Sequence, residues 1–190
     1  MERHPLQPFL PANARMLMLG SFPPPRERWT IEFYYPNFQN DMWRIFGVIF
    51  FNDRLHFVDE HRKSFKESNI KQFLLEKGIA LYDTAEEIIR QRGNASDQYL
   101  EIIKPVDLKR IVEQIPECNT IVTTGQKATE TLMELIGIKH IPPLGSFVET
   151  SFMNRIFRCY RMPSSSRAYP KSIAEKTAAY RQMFLERNVL

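Results

Sequence analysis

The sequence predicts an α/β fold built on a mostly parallel sheet covered on both faces. Three observations predict it. Four short apolar runs alternate with segments of helical spacing. Each run leads into small, polar or proline-stiffened residues, as strands do at a ligand-bearing sheet edge. The 190 residues, 43% hydrophobic and 25% charged, suit one folded domain with a sizeable core. No repeat, low-complexity tract or linker divides residues 1–190, and Phe22-Pro23-Pro24-Pro25 is a stiff loop too short to separate domains.

Taken in order, Met16 to Leu19 is apolar throughout, the pattern of a strand buried on both faces. Met42, Ile45, Phe46 and Ile49 fall at i, i+3, i+4 and i+7 and predict a helix. Val58 to Lys77 predicts one broken helix or two shorter ones, ended by Gly78. Ile79 to Tyr82 is the second strand. After it, Asp83 or Thr84, followed by Glu86 or Glu87, reads as a cap opening a helix over Ala85, Ile88 and Ile89. Leu108, Ile111, Val112 and Ile115 predict the next helix. Thr120 to Thr123 is the third strand, and Ala128, Leu132 and Leu135 the helix that follows. Phe157 to Met162 is the fourth strand. Ser172 and Glu175 form a capping box for a last helix with Ile173, Thr177, Tyr180 and Phe184 along one face.

Several function classes drop out. No apolar run reaches transmembrane length, and Met1-Glu2-Arg3-His4-Pro5 has no signal-peptide core, so the chain is expected in the cytoplasm, off the membrane. Cys118 and Cys159 are too few for a disulfide framework and read as small buried hydrophobes. His4, His56, His61 and His140 are scattered, and no metal is expected. There is no G-x-x-x-x-G-K-[ST], G-x-G-x-x-G or G-x-S-x-G. A formal charge of +4 and a pI of about 9.1 favour an anionic partner without naming one.

Ligands of open α/β sheets sit beyond the carboxyl ends of the strands. Gly20-Ser21-Phe22-Pro23, Asp83-Thr84, Thr124-Gly125-Gln126-Lys127 and Pro163-Ser164-Ser165-Ser166-Arg167 are therefore predicted to converge on one rim. The segment after the first strand gathers Phe22, Trp29, Phe33, Tyr34, Tyr35, Phe38 and Trp43 beside Arg26 and Arg28, a mixture suited to stacked bases and phosphates. Trp43 reads as core, whereas Tyr34 and Tyr35 divide evenly between core and exposed stacking surface. Lys127 opens a helix whose N–H groups could hold a phosphate. Lys104, Lys109 and Arg110 read as solvated surface charges.

A strand followed by GSFPPP, then YYPNFQNDMW, and finally MPSSSRAY before a last helix resembles the uracil-DNA glycosylase superfamily. The resemblance runs from Met16 to the final helix and is closest to the hypoxanthine-DNA glycosylase-like branch. It implies a three-layer αβα fold with a central, mainly parallel four-stranded sheet. It also implies a DNA glycosylase that hydrolyses the N-glycosidic bond of a deaminated base, hypoxanthine first and uracil next, in base excision repair. Such an enzyme takes the base out of the stack and needs no cofactor. Its partner would be DNA containing a damaged base, and a monomer is expected.

The resemblance also implies a site. Asn40 matches the late Asn of the branch's P-R-N-x-F-W run and would place the water, with Asp41 as the carboxylate alternative. A carboxamide orients water but is no strong base, and Asn40 also stands where a helix N-cap is expected. In the first motif, Gly20-Ser21-Phe22-Pro23, Phe22 replaces the Asn or Asp of the uracil-excising branch; Phe22, Tyr34 or Tyr35 would stack on the base. Asp83 matches that branch's base-reading Asn. An ionised Asp only accepts, so it suits an imino N–H such as N1–H of hypoxanthine. Ser164, Ser165, Ser166 and Arg167 match the second motif, which presses on the minor groove, with Met162 in place of its His. Pro36-Asn37 and Phe38-Gln39 depart from the branch pattern, and Pro24 replaces a glycine and removes a backbone donor. Two other readings stand beside this one: a DNA-binding relative without catalysis, and an unrelated nucleotide-binding α/β module.

Overall fold

A run such as Met16-Leu17-Met18-Leu19, buried at every residue, satisfies its backbone only by pairing on both sides. The computed structural model describes residues 1–91 and 99–190. Among these the elements run β1 (Glu2–Arg3), β2 (Met16–Gly20), α1 (Met42–Phe51), β3 (Val58–Asp59), β4 (Ser64–Phe65), α2 (Glu67–Lys77), β5 (Ile79–Asp83) and β6 (Ala85–Arg90). They continue with β7 (Leu100–Pro105), α3 (Leu108–Gln114), β8 (Thr120–Thr124), α4 (Gln126–Leu135), β9 (Phe147–Phe152), β10 (Arg155–Met162) and α5 (Ile173–Glu186). The main sheet has the order β5-β2-β8-β10-β9, so β2 has a partner on each edge.

The four predicted strands are the four parallel members, β5, β2, β8 and β10. The sheet nevertheless has five strands rather than four, because β9 pairs antiparallel on the β10 edge. The chain steps from β2 to β5 in one direction, then from β5 past β2 to β8 and β10 in the other. Right-handed crossovers place the helices of these two legs on opposite faces. On one face α1 packs on α5 through Phe46 and Phe50, whose rings lie 5.4 and 5.1 Å from that of Phe184. The reversal at β2 is a topological switch point, where a crevice opens at the carboxyl ends of β2 and β8.

Two helix predictions are corrected. Ala85–Arg90 is strand β6, not a helix, and it pairs with β7 on one edge and β1 on the other. The first part of Val58–Lys77 is a small β3–β4 ribbon, and only Glu67–Lys77 is helical. Gly78 ends α2 at φ 64°, where a Cβ would also stand 2.6 Å from the Asn13 carbonyl oxygen. The α5 start is as predicted: Ser172 Oγ accepts from Glu175 N at 3.2 Å, and Ser172 N donates back to Glu175 Oε2 at 2.8 Å. Among the described residues no helix is long and apolar enough to cross a membrane.

Candidate functional site

A cavity of about 690 Å³ opens at the carboxyl ends of the parallel strands, a volume suited to a small organic ligand. All four predicted rim segments contribute to its lining, through Gly20 to Pro23, Asp83, Thr124 to Lys127 and Ser164 to Ser166. Tyr34, Tyr35 and Asn40 also line it. Thr84, Asp41 and Arg167 do not line it.

The aromatic wall is wall and core at once. Phe22, 8% exposed, backs onto Ala85, Ile88 and Leu100 of the β6–β7 hairpin. Tyr34 is buried and donates from its hydroxyl to the Gln7 carbonyl at 2.9 Å. Tyr35 takes a left-handed conformation, φ 49°, and its hydroxyl lies 3.2 Å from Thr124 Oγ1. Burial pushes both phenols well above the usual tyrosine range. Trp43 is core, as predicted, and its indole N–H donates to the Tyr34 carbonyl at 3.1 Å. The proline loop is tied at two carbonyls: Pro23 accepts from Arg90 Nη2 at 2.9 Å and Pro24 from Trp29 Nε1 at 2.8 Å.

Asp83 caps no helix, since β6 follows it. Its Oδ2 accepts from His4 Nε2 at 2.8 Å. Its Oδ1 lies over Gly20, where a Cβ would stand only 2.3 Å away. Glycine is therefore required at position 20 by the close approach of the carboxylate rather than by its own dihedrals. His4 arrives through β1, which pairs with β6 in the register Glu2↔Ile88 and Arg3↔Glu87 and continues with His4 N donating to Glu86 O at 2.8 Å. Sequence reasoning left His4 among scattered histidines. Nothing local signals a partner 79 residues away.

Asn40 and Asp41 share the start of α1. The N-cap position of α1 belongs to Asp41, whose side chain makes no cap bond. Asn40, one residue earlier, accepts the Met42 N–H on Oδ1 at 2.9 Å. Asp41 is buried and turned away from the cavity; its carboxylate accepts from Arg167 Nε at 3.0 Å and lies 3.7 Å from Lys176 Nζ. Lys176, itself 1% exposed, donates to the Ser166 carbonyl at 2.7 Å. Burial pulls its amine below the usual lysine range, although Asp41 acts in the opposite sense. Asp41 N donates to Ser165 O at 3.0 Å, and Asn40 pairs with Ser166 in an isolated antiparallel bridge. The turn carrying Asn40 and the serine loop thus form one unit.

Two residues missed in the sequence brace that unit. Arg44 is buried in α1 and donates to the carbonyls of Phe38 and Asn40 at 2.8 and 3.0 Å, its guanidinium lying over the Phe38 ring at 4.5 Å. Tyr180 donates to the Pro163 carbonyl at 2.8 Å. A charged residue on an apolar helix face, as Arg44 and Lys176 both are, was the available signal. The serines partly serve their own turn, with Ser164 Oγ accepting from Ser166 N and Ser166 Oγ from Ala168 N, both at 3.2 Å. Arg167 keeps 45% of its side chain exposed beyond the bond to Asp41. Lys127 lines the cavity in the first turn of α4 and, among the described residues, makes no ion pair.

No family model matches the chain, and no curated protein matches it. A solved structure shares its fold: the solution NMR structure of a candidate uracil DNA glycosylase from Methanosarcina acetivorans, with a TM-score of 0.58 at 24% identity. The match covers 93% of this chain and 95% of that one. The fold is therefore the uracil-DNA glycosylase-like arrangement of a mostly parallel sheet between helices, here with five strands.

Proposed function

We propose that the chain is a DNA glycosylase that hydrolyses the N-glycosidic bond of a deaminated base, with hypoxanthine the first candidate and uracil the second. The observation that carries this reading is the convergence of four separate strand ends on one cavity. That cavity combines an aromatic wall, the Asp83 carboxylate at the end of β5 and a serine loop, with Glu130 of α4 also on its lining. On this fold those elements correspond to a stack for an extruded base, a reader of its edge and a grip on the strand. The match to a candidate uracil DNA glycosylase supports the same reading.

In this mechanism the base leaves the duplex and lies against Phe22, Tyr34 and Tyr35, next to the Gly20-Ser21-Phe22-Pro23 loop. Tyr34 and Tyr35 keep their protons, so the wall presents no charge to the base. Asp83 accepts the imino N–H of a deaminated ring, N1–H of hypoxanthine or N3–H of uracil. Asn40 orients the attacking water. Its Oδ1 keeps a second lone pair beyond the one given to Met42 N–H, and that bond fixes the amide before substrate arrives. The water then attacks an oxocarbenium-like sugar carbon as the base departs. Asp41 contributes indirectly, by holding Arg167 at the edge of the serine loop. Ser164, Ser165, Ser166, Arg167 and Lys127 contact the phosphates and the vacated stack.

The test is to incubate the protein with matched duplexes carrying hypoxanthine, uracil or no lesion, then cleave with alkali and resolve the strands. Strand breaks confined to a lesion duplex are expected. Intact strands in every duplex, together with tight binding to the same DNA, would instead identify a non-catalytic DNA-binding relative.

A further inference from the structure

We propose that His4 is a positioning residue that holds Asp83 as a fixed hydrogen-bond acceptor. Through Asp83 it makes the cavity select bases with a ring N–H over bases with a ring nitrogen lone pair. This rests on reading the cavity as a base pocket, and it adds a residue from outside every motif that suggested that reading.

The polarity of the pair follows from the partners of the imidazole. His4 has only 3% of its side chain exposed, so both ring nitrogens must be satisfied inside the protein. Nδ1 lies 3.2 Å from the Leu6 N–H and 2.9 Å from the Leu6 carbonyl oxygen. With one ring proton, the ionised Asp83 carboxylate holds it on Nε2, because the other tautomer would set the Nε2 lone pair against Oδ2, and Nδ1 then accepts from Leu6 N–H. With two, Nδ1–H donates to the Leu6 carbonyl and Nε2 still carries a proton. In either state Nε2–H donates to Asp83 Oδ2 across 2.8 Å. The Leu6 backbone thus accommodates both forms of His4, and Asp83 is an acceptor in both. Oδ1 remains, seated over Gly20 beside the cavity.

An acceptor fixed at that point distinguishes a base from its deaminated product. Adenine N1 and cytosine N3 present lone pairs, which a carboxylate oxygen repels. Deamination turns these positions into the N1–H of hypoxanthine and the N3–H of uracil, which donate to it. A carboxylate free to rotate could turn away from a mismatched ring nitrogen. One tied at Oδ2 and confined over Gly20 cannot do so without breaking the His4 bond. The His4 ring is held by its neighbours, 4.7 Å from Tyr82 and 5.2 Å from Phe22 between centroids.

The test compares His4→Phe, which keeps the ring packing and removes the donor, with His4→Gln, whose amide can still donate to Oδ2. Single-turnover excision, melting temperature and affinity for abasic-site DNA are measured for each. His4→Phe is expected to slow lesion excision roughly tenfold or more, and to lower the melting temperature because Asp83 Oδ2 and the Leu6 N–H lose their partner, with abasic-site affinity close to wild type; His4→Gln is expected to recover part of both losses. Excision by His4→Phe at the wild-type rate with unchanged lesion preference would overturn the proposal while leaving the glycosylase reading intact. If the wild-type protein excises neither lesion, the glycosylase reading falls and the pair is judged by binding alone. Duplexes carrying hypoxanthine or adenine, and uracil or cytosine, at one position are then compared. A preference for the ring N–H base that His4→Phe erases upholds the role of His4, and equal wild-type affinity for each pair overturns it.

Discussion

Asn40 meets two demands with one amide, and substitution can separate them. Asn40→Ala removes both the Met42 N–H bond and the proposed water contact; it is expected to abolish excision, spare DNA affinity and cost about 1 kcal/mol of stability. Asn40→Asp keeps an acceptor for Met42 N–H, so its stability should return to wild type. Excision by Asn40→Ala at a normal rate, with only the stability loss, would reduce Asn40 to a structural role. Gly20 poses a sharper steric question, because a Cβ there would stand 2.3 Å from Asp83 Oδ1 while Asp83 is tied to His4. Gly20→Ala should displace the carboxylate, cost roughly 1–3 kcal/mol and weaken lesion discrimination; an unchanged melting temperature and preference would mean that Asp83 moves freely. Asn40, Asp83 and Gly20 were legible because each sits at a strand or helix end within its own motif. His4 was not, because its role depends on which distant strand β1 joins.

At the scale of elements, the parallel strands and the α5 cap were readable because their signals are local: unbroken apolar runs, and a Ser and a Glu three residues apart. The β6 strand was hidden by its irregular pairing. Register shifts between Ala85 and Glu87 and between Glu87 and Ile88 disturb the two-residue alternation, leaving Ala85, Ile88 and Ile89 at spacings that imitate a helix. The β9–β10 hairpin was hidden by its turn. Phe152 pairs with Arg155, leaving a two-residue turn in which Met153 and Asn154 both have positive φ, 54° and 59°. That is the type I′ geometry, which Asn-Gly signals and Met-Asn does not. Replacing Met153 by Asn together with Asn154 by Gly should therefore raise stability by about 1 kcal/mol, read as a higher urea midpoint at unchanged m-value. Excision should not change, because this turn lies at the start of β10 and the cavity at its end. A lower midpoint would show that contacts of the Met153 side chain outweigh the backbone strain.

The folded molecule buries several thiols and phenols in their protonated form, and these set its response to alkali. Burial pushes the thiols of Cys118 and Cys159 up to about 11 and about 12, and the phenols of Tyr82 and Tyr160 up to about 12. Burial raises the phenols of Tyr34, Tyr35 and Tyr180 well above the usual tyrosine range. In the unfolded chain the same groups lose their protons near about 8.5 for thiols and about 10 for phenols. Between those values and the folded ones, the native state holds more protons than the unfolded state, so stability falls as pH rises. The stabilisation is fully present below about pH 8.5 and is lost progressively above it. The urea midpoint should accordingly fall steadily between roughly pH 9 and 11. Phenolate absorbance should show five of the seven tyrosines silent near pH 10 until the chain unfolds. Full titration of the native protein near pH 10, with a constant midpoint, would mean that these rings are solvated, and with them the wall of the cavity. The dependence of stability on pH and the proposed stacking of a base therefore share one premise, a dry and neutral aromatic surface around Tyr34 and Tyr35, and a titration without any DNA present can test it.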